Sequence, residues 1–227
     1  MLSNMYNILR MKYNCSEFEP HMMKRTMELM IKAILKQMED IVAEENQNNI
    51  PIEEILQDET SQHSHTLLHA SGAVYNFGLY LPVLKTPDYQ VRLPDKDSLL
   101  SKYICLTWDG ETLFDSFSKM YEEVNRKATQ LLGCGWLFLT YNTKRDKLYI
   151  CALQMHDNPM CYTKESVLRI PIFAWNLWEH AYYLQYEYNR TNYIKYLWTM
   201  MNWEVIQKRF DVIKKTQEPL SLQQLNE

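Results

Sequence analysis

The chain has 227 residues, 46% of them hydrophobic and 13% aromatic, with 16 Tyr and 6 Trp. That composition excludes a disordered polymer and suits one domain, or two closely packed ones, with a sizeable core. A net charge of -4 at pH 7 gives no bulk attraction for nucleic acid, and no uninterrupted apolar run is long enough to cross a bilayer.

Five glycines are far below the usual share of roughly 7%, so helix is expected to dominate. The five cysteines, Cys15, Cys105, Cys134, Cys151 and Cys161, are odd in number and lack Cys-x-x-Cys spacing. Free thiols in a reducing compartment are the plainer reading.

Residues 1–16 carry Arg10 and Lys12 but no acid, and read either as a mitochondrial presequence or as an ordinary N-terminal arm. From Glu19-Pro20-His21 onward, Met27, Met30, Ile31, Ile34, Leu35, Met38, Ile41 and Val42 recur at spacings of three and four, which predicts a long helix. Between Lys36 and Lys85 there is no basic residue apart from histidine, and the acids from Glu39 to Glu59 read as a solvated face. The polar run Glu45–Asn49 before Pro51 predicts a turn, and a second helix is expected from about Ser61 to Leu84. His65 and His69 sit four apart on it; without a nearby carboxylate or cysteine, a solvated helix terminus outweighs a metal site.

Pro82, Pro87 and Pro94 mark a linker up to Leu99. An amphipathic helix is expected from Thr112 to Leu132, with Leu113, Phe114, Phe117, Met120, Tyr121, Val124 and Ala128 on its apolar side. Then come two strands, from Gly135 and from Lys147 to Met155, joined by a hairpin turn at Asn142–Lys147. His156 lies in the following turn, with no role beyond a turn hydrogen bond. The β-rich run Val167–Trp175 predicts a third strand feeding an aromatic helical pattern through Tyr193, Tyr196, Leu197, Met200 and Trp203. Val205–Lys215 reads as a last helix. Residues 216–227 form a polar tail with Leu220, Leu222 and Leu225, expected to fray or to dock on a partner.

The order Asn176-Leu-Trp178-Glu179-His180-Ala-Tyr182-Tyr183, followed by Asn189-Arg190, Tyr193 and Asn202-Trp203, closely resembles the C-terminal signature of the iron/manganese superoxide dismutases. Gly133-Cys134-Gly135-Trp136 and Ala73-Val74-Tyr75-Asn76-Phe77 resemble further family segments. The resemblance implies an α+β fold: an arm at 1–16, a long helical hairpin over 17–98, an α/β domain with a three-stranded antiparallel sheet over 99–215, and the tail 216–227.

It also implies where a redox metal would sit. The four ligand positions fall on Met30, Phe77, Asn176 and His180, so three lack the family's ligand, and the residue that holds the metal's solvent falls on Ala73. The family's channel residues fall on Ile34, Leu35 and Met38, so that 30, 34 and 38 become an apolar stripe expected to pack as core. The resemblance therefore implies a pseudoenzyme with no cofactor.

At the family's dimer interface Glu179 and His180 would pair across the two-fold axis and Tyr183 would meet a partner histidine. That last position is Ile34 here, which favours a heterodimer with a related chain over self-association; the alternative is that Glu179 and His180 are satisfied locally. Metal-free proteins resembling this family are subunits of the small mitochondrial ribosomal subunit. The expected role is a structural subunit there, in the matrix, contacting ribosomal proteins and at most limited rRNA. The rival readings are an accessory subunit of a respiratory or other membrane complex, and a residual dismutase or metal binder using His180 with His156 or with His65 and His69.

Overall fold

The computed structural model describes residues 21–58, 62–85, 93–162 and 169–226, the side chains of 21–28 and 162 excepted. The arm at 1–16 and the Pro87 part of the expected linker lie outside the described residues.

Helix α1 runs over His21–Glu45. The chain then turns at Asn46, whose side-chain amide donates to the Ile50 carbonyl (2.7 Å) and accepts from the Ile50 N–H (3.0 Å). Asn49 adopts a left-handed φ of 52°, a region asparagine tolerates better than most residues. A short helix α2 (Ile52–Gln57) precedes α3 (His65–Tyr80), which begins where the Ser64 hydroxyl accepts from the Leu67 N–H at 2.9 Å. α3 stops short of the expected Leu84 because Pro82 has no N–H to extend the ladder, and the chain tightens into a 3-10 turn over Leu81–Val83.

Helix α4 (Leu99–Trp108) follows a Ser98 cap within a stretch where no helix is expected from the sequence. α5 (Leu113–Gln130) opens on a reciprocal capping box between Thr112 and Asp115. Phe117, Met120, Val124 and Ala128 are buried on its inner face. Phe114, expected beside them, is 64% exposed, because at 100° per residue it lies well off that line.

The sheet is antiparallel throughout, in the order β2-β1-β3, with β1 at Gly135–Asn142, β2 at Lys147–Gln154 and β3 at Arg169–Asn176. Central β1 is buried at every position. The β1–β3 register shifts between Leu139 and Thr140, where Pro171 faces Thr140. After β3 the chain continues through a 3-10 turn (Glu179–Ala181), a single helical turn α6 (Tyr183–Tyr186), α7 (Arg190–Met200), α8 (Trp203–Thr216) and α9 (Leu222–Leu225). Lys214 of α8 lies over the rings of Tyr103 and Tyr141 and pairs with Asp146 in the β1–β2 turn. A helical N-terminal region followed by an α/β domain with a three-stranded antiparallel sheet is the α+β architecture expected.

Two packing expectations change. In the stripe of α1, Ile34 and Met38 are half-buried but Met30 is 42% exposed; the fully buried positions are Ile31 and Leu35, one residue further round the helix. The C-terminal tail is docked on its own chain. Leu220, Leu222 and Leu225 are buried, and a Cβ at Gly78 of α3 would touch Leu222 and Leu225 at 3.3 and 3.4 Å. Arg209 is 4% exposed and donates to the carbonyls of Leu79 (2.7 Å), Gly78 (3.1 Å) and Leu225 (2.7 Å). It thus satisfies the carbonyls freed at the end of α3 and ties α9 to them.

Candidate functional site

Three elements meet at the place where the resemblance implies a metal. α3 supplies Phe77, the start of β1 supplies Trp136, and the end of β3 with the turn after it supplies Asn176, Trp178 and His180. Phe77 is fully buried; its ring stacks on His180 at 5.9 Å and meets Trp136 edge-on at 5.1 Å. Asn176, also fully buried, accepts from the Trp178 N–H at Oδ1 (3.0 Å) and presents Nδ2 to His180 Nε2 at 3.1 Å. The amide orientation fixed by Trp178 makes Nε2 the acceptor and leaves the imidazole proton on Nδ1. Burial holds the His180 pKa down to about 4, with Glu179 pulling the other way.

His156, given only a turn role by the sequence, is 2% exposed at the centre of this region. Its Nδ1 accepts from Trp136 Nε1 (3.2 Å), and its ring stacks on Trp178 at 4.4 Å. Burial, then the neighbouring His69 and His180, lower its pKa to about 3. The loop bearing it is pinned to α3: Asn76 donates to the carbonyls of His156 (3.2 Å) and Asp157 (3.3 Å) and accepts from Asn158 (2.8 Å). Gly72 is required there, because any Cβ would overlap the His156 carbonyl. No local spacing signals this role, since it joins opposite ends of the β1–β2 hairpin to a helix some eighty residues upstream.

The remaining candidates are dispersed. Met30 points to solvent at the surface of α1. His65 is exposed, while His69, four residues on, turns edge-on to His156 at 4.9 Å, so the two do not act as a pair. Trp178 stacks on both His156 and His180, placing an indole against each imidazole. The Glu179 carboxylate accepts from the Cys134 thiol (2.6 Å) and lies 3.9 Å from Arg190. Burial, followed by the Glu179 contact, raises Cys134 to about 11. Arg190 also donates to the Leu131 and Gly133 carbonyls and to the Tyr182 hydroxyl. Tyr183 is 42% exposed and meets only Tyr188 edge-on among the described aromatic rings.

The donor set does not fit a redox metal. Phe77 offers no donor atom, Met30 only a solvent-facing thioether, Asn176 a neutral amide already engaged, and His180 a lone pair held by that amide. Among the described residues no group of three His, Cys, Asp or Glu side chains converges to hold an ion.

Residues 108–209 match the family of iron/manganese superoxide dismutases, C-terminal domain. The chain is also 33% identical over 121 residues to the superoxide dismutase [Fe] of Methanothermobacter marburgensis, an alignment covering 52% of each chain. It thus spans about half the length of that curated relative. The matched residues 108–209 contain the sheet, Trp136, Asn176, Trp178 and His180, so this part of the chain is similar to the C-terminal domain of the iron/manganese superoxide dismutases.

Proposed function

We propose that this protein is a non-catalytic, superoxide-dismutase-like structural subunit, acting as a protein scaffold in the small subunit of the mitochondrial ribosome and paired with a related chain. The observation that carries the non-catalytic reading is the Phe77 ring stacked on His180, with the His180 lone pair taken by Asn176. Aromatic packing occupies the place where a reacting ion and its open coordination position would have to be. The relative from Methanothermobacter is named as an iron dismutase; the two chains differ in function on this proposal. Supporting an assembled state, Leu29, Met30, Tyr183, Leu184 and Tyr188 leave apolar surface in solvent. Placement in the ribosome rests on the resemblance to metal-free relatives of that particle.

The test is sedimentation of the tagged full-length protein from detergent-solubilised mitochondria, with mass spectrometry of the co-migrating peak. Co-migration with small-subunit ribosomal proteins, shifted by removing magnesium, is expected. Migration with respiratory subunits would overturn the ribosomal placement. A free dimer carrying stoichiometric iron or manganese would overturn the non-catalytic reading.

A further inference from the structure

The two outer strands of the sheet have different edges. β3 is interrupted by Pro171 and the register shift beside it. β2 carries neither device, and from Leu148 to Leu153 it has no charge and no proline, the residues that usually blunt an edge. The Leu148 N–H points away from β1, towards the Thr107 hydroxyl at 3.2 Å. The two-residue alternation of an antiparallel ladder turns the backbone groups of Ile150 and Ala152 the same way. Among the described residues no strand lies beyond β2 to pair with them.

Along this strand runs a groove of about 1600 Å³. Its cations are Arg126 and Lys127 from α5, Arg145 from the β1–β2 turn and Arg169 from β3; its carboxylate, Asp58, is beside His63 at 3.2 Å. Burial raises the Cys151 thiol on β2, and Arg169 and Lys127 both oppose that rise. Cations from two different elements therefore act on one point of the strand. Much of the remaining wall is aliphatic, including Leu56, Leu68 and Leu153. Unpaired backbone, positive charge and aliphatic wall together suit a peptide; a nucleic acid would want stacking surfaces, and Tyr149 is the aromatic residue at hand.

We propose that the β2 edge and its basic groove are a docking site for an extended acidic segment of a partner protein, which adds as a fourth strand with carboxylates facing Arg169 and Lys127. The site does not depend on which assembly holds the chain.

The test uses the full chain and a fluorescent peptide of alternating glutamate and valine matched to β2 in length, with a lysine-valine peptide and a single-stranded RNA as comparators. Fluorescence anisotropy is expected to show binding of the acidic peptide, weakened about tenfold by Lys127→Glu combined with Arg169→Glu. Ala152→Pro, which removes an outward N–H, is expected to weaken it about tenfold as well. Hydrogen exchange at Ile150 and Ala152 of the unaltered protein should slow when the peptide is added, which decides the matter if the proline variant fails to fold. Failure of the acidic peptide to bind overturns the proposal. So does binding of RNA with Ala152→Pro inert, which makes the groove a phosphate surface, or protection of both amides in the free protein, which means the chain covers its own edge.

Discussion

Asn176 and an aspartate have nearly the same shape, yet the amide presents an N–H where the acid has only oxygens. That N–H is what occupies His180 Nε2. The same region holds a second neutral imidazole in His156, and the pair makes the fold sensitive to acid. Both titrate near 6.5 when unfolded, and burial lowers them to about 3 and about 4 in the folded state. The stabilisation is complete above pH 6.5. It is lost as pH falls towards these values, because the unfolded chain there binds more protons. His156→Gln keeps an acceptor for the Trp136 indole and removes one titrating group. Urea denaturation at pH 7 and at pH 5 should show the acid dependence reduced by about one proton, roughly 1.4 kcal/mol per pH unit at its steepest. An unchanged dependence would mean that His156 titrates normally.

At the scale of elements, α3 is held at its C-terminal end by a segment that the sequence presents as a loose tail. Arg209 bridges the last carbonyls of α3 to α9, and the Tyr75 hydroxyl donates to the Leu220 carbonyl at 2.7 Å. Truncation after Gln217 would expose the face of α3 around Gly78 and remove three buried leucines. Each is worth roughly 1.5 to 3 kcal/mol, and Arg209, whose pKa burial already lowers to about 10, would lose one of its three carbonyl partners. Denaturant titration should show a loss of about 5 kcal/mol or more. A truncated protein of unchanged midpoint would show that the tail is a passive cover.

For the whole molecule, the question is what the exposed apolar residues meet. Tyr183 is available at the surface, but the residue expected to receive its phenol across a two-fold axis is Ile34, which has no acceptor. Sedimentation equilibrium of the purified chain alone should therefore report a monomer, and co-expression with a related chain retaining histidine at that position should give a one-to-one pair. A homogeneous dimer of the chain alone would rule out the requirement for a second kind of subunit.

Local patterns in the sequence determined the helix and strand periods, the turn at Glu45–Asn49, the hairpin at Asn142–Lys147 and the Trp178-Glu179-His180 signature, because each rests on residues near one another in the chain. α4 has little local signature, because its short apolar run sits among prolines and charges and only the Ser98 cap announces it. Which side of α1 is buried, the burial of His156 against Trp136 and Trp178, and the seating of the tail by Arg209 were decided by tertiary packing alone. Those contacts join segments separated by 20 to 131 residues, and burial and hydrogen-bond partners over such separations exist only once the helices and the sheet have closed on one another.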